Sequence, residues 1–418
     1  MVVLGRLYGP AGVGVLALAQ SILLGAAVIG KYGMDNGLMK FVGQEQPHIN
    51  TMQLLRWSVG ISLRVNLAIA LAIFFGRTIL GNLFQNEYLN SVLIGIAIAT
   101  PAFTLSYLLS GFFKGIQKPA TACLLEGGAI ALVAALLVSI LNLIMPDNGL
   151  ATIGAAYALA AWLVLFHGAL RMFGWITNIE GIKNFKDESE DKLLRKKFHS
   201  SSHEFFVMDL ANLVQTVISV LIAGLMLSSE ELGLFKSSQQ MAMLISFVLI
   251  VINAILPPRF AKLNHTGEYE ELERLARKGA SLGVLVASPL IIMCLFFPHS
   301  VLTLIGDEFS EAAPLLQLLA LAQMVNLATG SVGFILAMTG HERIMKNIAW
   351  LSSVVGVLLL LVLIPPFGAM GAAVGVAVIL VMQNLIAVFF VWQRLGVWIL
   401  PFPNVLSLSG VPTRNRWF

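Results

Sequence analysis

The chain has 418 residues, 58% of them hydrophobic and only 11% charged, with a mean hydropathy of +0.86. Soluble domains carry about 25% charged residues, so this composition excludes a soluble enzyme and indicates a polytopic membrane protein. The net charge of +4 and the pI near 9.1 follow from basic loops along one side of a bilayer and call for no nucleic acid.

About 20 apolar residues cross the hydrocarbon of a bilayer. Apolar stretches bounded by charged or Pro/Gly-rich loops predict five spans in the first part of the chain, over 11–39, 54–83, 89–113, 120–145 and 150–173. A polar segment follows, Thr177 to His203, containing KDESEDKLLRKKFHSSSHE. It predicts a cytoplasmic linker with a short helix. Ser201 and Glu204 have capping-box spacing before Phe205-Phe206-Val207, which marks the start of the next span. Six more spans are predicted over 204–228, 232–258, 279–304, 312–339, 346–365 and 369–393. The tail from Pro401 to Phe418 has no span of its own. The expected organisation is an N-lobe over 1–176, a charged linker over 177–203, a C-lobe over 204–396 and a cytoplasmic tail over 397–418.

The two parts repeat each other. Leu7 to Gln44 overlays Met226 to Leu263 at a constant offset, with Gly14 on Gly233 and Phe41 on Phe260. Gly115 to Lys118 corresponds to Gly340 to Arg343. Leu143 to Pro146 followed by Gly154 corresponds to Leu363 to Pro366 followed by Gly371. The counterpart of the span at 204–228 would end near Gly9, so MVVLGRLYG is expected to be the end of a first helix that is mostly missing, through a misplaced start or a truncation. The expectation is an all-α polytopic protein of two homologous six-helix lobes related as a parallel repeat, with about eleven full spans here. Most lysines and arginines then fall on one side, and only Arg6, Arg77 and Lys236 lie on or near the other. That bias leads to the expectation of a multi-pass protein of a cell membrane (inner or plasma) with both ends of the completed chain cytoplasmic.

The sequence contains no Walker A loop, dinucleotide fingerprint, HExxH or nucleophile elbow. Cys123 and Cys294 lie in different halves with no metal spacing, and are read as packing residues. The chemistry is left to ionisable residues inside spans, which are costly in hydrocarbon. Lys31 and Arg64 lie roughly 12 to 14 Å in from the cytoplasmic boundary, and Glu126 reaches a similar depth, by the 1.5 Å rise per residue. Asp35 and Asp209 are shallower. Two readings stand for these groups. Lys31 with Asp35, and Arg64 with Glu126, neutralise each other inside the bundle, or they serve a substrate or ion. Lys236 either snorkels or contributes to the same site. The second half lacks the charges, since Lys31, Asp35, Arg64 and Glu126 map to Ile250, Ala254, Gly283 and Leu351. This asymmetry favours a site borne mainly by the first lobe.

The segment Arg6-Leu-Tyr-Gly-Pro10, followed by Gly12-Val-Gly14-Val-Leu-Ala-Leu-Ala19, resembles the opening of the polysaccharide-biosynthesis flippases, often called the Wzx type. These sit in the superfamily that also holds the MATE drug exporters and the lipid II flippases. The similarity continues through the turns at Gly115 and Gly340 and the Gly-Ala-Ala starts of each lobe's last helix. The resemblance implies two six-helix lobes around an alternately opening cavity. It also implies transfer of a polyprenyl-diphosphate-linked oligosaccharide to the outer leaflet for O-antigen or exopolysaccharide synthesis. Lys31, Arg64 and Lys236 are the candidate cations for the diphosphate. Asp35, Glu126 and Asp209 are candidates for coupling to H⁺ or Na⁺, with no other cofactor and no metal. Membrane lipids, a polysaccharide polymerase and glycosyltransferases are the partners this implies, and a monomer is expected because each chain would enclose its own cavity. A MATE-like exporter of organic cations, a major-facilitator transporter and a nontransporting member of a glycan-synthesis complex are the alternatives. The Gly-rich loop of the major-facilitator class is absent from FVGQEQPHINTMQ.

Overall fold

The computed structural model describes residues 2–43, 48–144, 149–177, 188–213 and 217–400. Part of the expected linker, at 178–187, and the tail from 401 onward lie outside the described residues.

The protein is all-α. In chain order the helices are α1 Val2–Lys31, α2 Met34–Gly43, α3 His48–Leu83, α4 Glu87–Gly115, α5 Pro119–Cys123, α6 Gly127–Ile144, α7 Ala151–Thr177, α8 Glu188–Leu213, α9 Ser219–Met226, α10 Ser229–Met243, α11 Phe247–Ile255, α12 Pro257–Thr266, α13 Tyr269–Phe296, α14 Pro298–Leu302, α15 Ala313–Thr329, α16 Val332–Met338 and α17 Glu342–Leu395. Among the described residues, 9 helices are long and apolar enough to cross a membrane. One of these accounts for two expected spans: α17 breaks at Gly368 (φ 53°) just after Pro365-Pro366, between the stretches predicted at 346–365 and 369–393. The span predicted over 204–228 corresponds to the end of α8 and to α9, on either side of residues 214–216. The chain is a multi-pass membrane protein.

Helix starts follow local chemistry. The Asn86 side chain caps α4 by accepting from Leu89 N at 3.0 Å. Ser228 and Glu231 form a reciprocal capping box at the start of α10. The box predicted at Ser201 and Glu204 does not form, because α8 runs continuously through both residues. Ser201 instead accepts from Lys40 at 3.1 Å.

The chain folds into two compact units, residues 14–225 and residues 1–13 with 226–418. These boundaries differ from the lobes expected at 176 and 203. The first unit retains α8 because α2 packs on it. A Cβ on Gly33 would lie 2.3 Å from Ser202 O, and one on Gly37 would lie 2.6 Å from Ser202 Oγ. Within this unit α4 is the central helix, packed on α2, α3, α5 and α7, while α6 lies on α7. The α4–α7 approach is backbone to backbone, since a Cβ on Gly95 would come within 2.1 Å of Gly154 C. Small residues permit such contact where lipid supplies no hydrophobic drive for helices to associate.

In the other unit α17 packs on α10, α15 and α16, and α13 packs on α15. Phe260, Leu272, Val332, Ile335 and Val391 form part of its core. Val397 and Ile399, expected to begin the tail, are buried in that core.

Candidate functional site

The charged groups of the first unit meet where its helices are interrupted. α1 ends at Lys31, Tyr32 (φ 47°) and Gly33 (φ 68°) turn the chain, and α2 starts at Met34. Glycine is required at position 33 by both the left-handed backbone and the α8 backbone lying against it. The turn leaves Lys31 in the last turn of α1 and Asp35 in the first turn of α2, each at the helix end that favours its charge. Lys31 Nζ is 2.7 Å from Asp35 Oδ2 and 2.7 Å from Asp209 Oδ2 on α8. Lys31 and Asp35 are both buried. Asp35 Oδ1 is also buried and has no hydrogen-bond partner among the described residues.

A second interruption lies close by. The helix predicted over 120–145 breaks between α5 and α6, and Glu126 sits in the break. It accepts from Ser110 Oγ at 3.0 Å and pairs with Lys114, both on α4. Tyr107, one turn earlier on α4, accepts from Gly127 N at 3.2 Å. Its ring centroid is 5.8 Å from Lys31 Nζ. Lys31, Asp35, Tyr107, Ser110, Lys114 and Glu126 line a cavity of about 190 Å³. Together with Asp209, the cluster has three carboxylates and two ammonium groups, a formal excess of one negative charge.

A buried polar seam fixes the geometry beside this cluster. Ser62 Oγ donates to Gly30 O at 2.9 Å, Asn66 Nδ2 donates to Ser62 O at 2.7 Å, and Thr104 Oγ1 donates to Asn66 Oδ1 at 2.9 Å. These bonds tie α1, α3 and α4 together around the Lys31 turn.

Arg64 is not part of the cluster, and the expected Arg64–Glu126 pair does not form. Ser62 and Asn66 occupy the face of α3 that meets α4. Arg64, two residues from each, points roughly 160° away by helical periodicity. It is exposed beside Leu63, Val65 and Leu67 and has no acidic partner among the described residues. The Lys31–Asp35 pair, one of the two readings left open by the spacing, forms, while its third member, Asp209, comes from a helix far along the chain. Lys236 lies on α10 in the other unit and donates to Gln239 Oε1 at 2.9 Å.

Tyr107, Ser110 and Lys114 were not legible as site residues. Lys114 reads in sequence as one more loop cation, and only its position four residues after Ser110 signals a shared helix face. The other unit holds a polar cluster without charge. Asn384 Nδ2 donates to Asn326 Oδ1 at 3.1 Å, Thr329 Oγ1 donates to Asn384 Oδ1 at 3.1 Å, and Ser246 bonds Gln323. Its only sequence signal is amides placed inside apolar spans.

Residues 1–264 match the model of the polysaccharide biosynthesis protein family. The chain belongs to that family. An uncharacterized membrane protein of Methanocaldococcus jannaschii is 27% identical over 133 residues. That match covers 31% of this chain and 26% of the relative, so this family member spans about a quarter of that protein's length. Among solved structures, an inward-facing multidrug resistance MATE family transporter of the MOP superfamily is similar with a TM-score of 0.70 at 14% identity, covering 94% of this chain and 93% of its own. The lipid II flippase MurJ in an inward closed conformation is similar with a TM-score of 0.70 at 11% identity, covering 93% and 83%. Another relative in fold is the MATE multidrug transporter DinF-BH, with a TM-score of 0.62 at 14% identity over 94% and 90%. This member of the polysaccharide biosynthesis family therefore has the fold of membrane transporters and flippases.

Proposed function

We propose that the protein is a flippase, and not an enzyme. In this reading it moves a polyprenyl-diphosphate-linked oligosaccharide from the cytoplasmic to the outer leaflet of a cell membrane, for surface polysaccharide synthesis, by alternating access. The observation that carries the reading is Arg64. It stands 16 residues past His48 and 19 before Leu83 in a 36-residue helix, roughly 24 Å from its start. It is exposed, with no carboxylate partner among the described residues. A guanidinium left unneutralised at that depth is expensive and suits a diphosphate through paired hydrogen bonds. The glycan and diphosphate need such a polar path because isolated charges do not enter hydrocarbon. Family membership supports the same cargo class.

The roles of the other candidates divide along their partners. Lys31 is held by two carboxylates, so Arg64 and Lys236 are the headgroup cations in this proposal. Asp35, Asp209 and Glu126 are the groups through which H⁺ or Na⁺ would couple. Lys236, which donates to the neutral Gln239 and has no carboxylate partner among the described residues, would act on the diphosphate as a point charge. Membrane lipid surrounds the polyprenyl tail, and a polymerase or glycosyltransferase would supply or consume the cargo.

The acid excess of the α1–α2 cluster favours one second reading, export of an organic cation. The deciding experiment follows the leaflet accessibility of a polyprenyl-diphosphate oligosaccharide in liposomes with the wild-type chain, Arg64→Ala and Lys236→Ala. Protein-dependent transfer that falls at least tenfold in Arg64→Ala is the expected result. Absence of transfer, with ion-driven efflux of an organic cation, would transfer the assignment to the exporter.

A further inference from the structure

Lys31 is bound as a free counter-ion would be. Its ammonium lies 2.7 Å from one carboxylate oxygen on α2 and 2.7 Å from another on α8, with 11% of the side chain exposed. An ion pair built only for neutrality would close with Asp35, its neighbour four residues on. The added Asp209 leaves this group of three with one negative charge in excess. Around Lys31 the groups that face the cluster are Asp35 and Asn36 from α2, Tyr107, Ser110 and Lys114 from α4, Glu126 from the α5–α6 break and Asp209 from α8. Asp35 Oδ1 is buried and unpartnered among the described residues, and the Tyr107 ring centroid is 5.8 Å from the ammonium. Hard cations are held by oxygens of this kind, and an aromatic face adds attraction for an ammonium.

We propose that the space between Asp35 and Asp209 is a monovalent-cation site whose resident ion is the protein's own Lys31 ammonium. While Lys31 is in place, free Na⁺ and K⁺ are excluded there. Shortening Lys31 opens the site to a free cation of the alkali-metal or primary alkylammonium class, while a quaternary ammonium such as choline has no N–H to donate to the carboxylates. Of the two ions considered for coupling, only a proton, carried on a carboxylate oxygen, then remains for Asp35 and Asp209. The binding claim stands apart from the flippase reading, because its test measures equilibrium binding and not transport.

The test is thermal unfolding of the purified full chain, titrated with NaCl, KCl or methylammonium chloride against choline chloride at fixed ionic strength. Wild type is expected to respond no more to these ions than to choline. Lys31→Ala is expected to unfold at a lower temperature and to recover by about 5 °C, saturably, with at least one of the ions. Adding Asp209→Asn to Lys31→Ala is expected to abolish that response. Lys31→Gln, which keeps most of the stem volume, is measured in the same way if Lys31→Ala is lost during purification. If both are lost, recovery of either one only when methylammonium is present during solubilisation supports the site. The proposal is overturned by a saturable Na⁺ or K⁺ response in wild type that Asp209→Asn removes. It is equally overturned if recovered Lys31→Ala or Lys31→Gln protein shows no ion response, or if methylammonium rescues neither variant.

Discussion

Gly111 on α4 lies against the backbone of Asp35 so closely that a Cβ at position 111 would come within 2.2 Å of the Asp35 carbonyl oxygen. The atom in the way is backbone, so it cannot rotate aside as a side chain would. Gly111→Ala must push α2 away from α4 and move Asp35 relative to Lys31. Overpacking of this kind costs about 1–3 kcal/mol. Thermal unfolding in detergent should show the loss, and an unchanged melting temperature would contradict the close approach.

Asn66 is wholly buried, accepts from Thr104 and donates twice to Ser62. Asn66→Leu would leave the Thr104 hydroxyl with its bond to Thr100 O only and would crowd Gly30, whose Cα faces the amide. A destabilisation of about 1–3 kcal/mol is expected from lost bonds and misfit together. Asn66→Ala, which relieves the crowding, should cost less. The order of the two melting temperatures checks the assignment.

The Glu126–Lys114 pair is a third or more exposed on both sides. Glu126→Gln should therefore change stability by at most about 1 kcal/mol. Its effect belongs to transport. If Glu126 carries the coupling proton, liposomes with the variant should lose the dependence of transfer rate on an imposed pH gradient. Retention of that dependence would remove Glu126 from the coupling role.

Ser228 is the N-cap of α10, and its hydroxyl and backbone N–H are both bonded to Glu231. Ser228→Ala should cost about 1 kcal/mol, and Glu231→Ala a comparable amount through the same box. Because both changes remove one motif, the double variant should lose clearly less than the sum.

The sequence by itself determined the membrane class, the all-α fold and the position of nearly every span. Apolar run length and breaker residues act locally, as the Gly368 break after Pro365-Pro366 illustrates. The Lys31–Asp35 ion pair was one of two readings that their four-residue spacing allowed, and it forms across the left-handed turn at Tyr32 and Gly33 because so short a stretch of chain keeps the two charges close. Only the tertiary structure decided which more distant charges meet. Asp209 reaches Lys31 because glycines 33 and 37 let α8 rest on the turn between α1 and α2, a fit that composition cannot reveal. Glu126 turns to Lys114 and away from Arg64 because Ser62 and Asn66 direct the polar face of α3 at α4. Hydropathy fixes that a residue lies within a span, but its partner depends on how helices rotate against one another, and that rotation is set by side-chain packing across the whole unit.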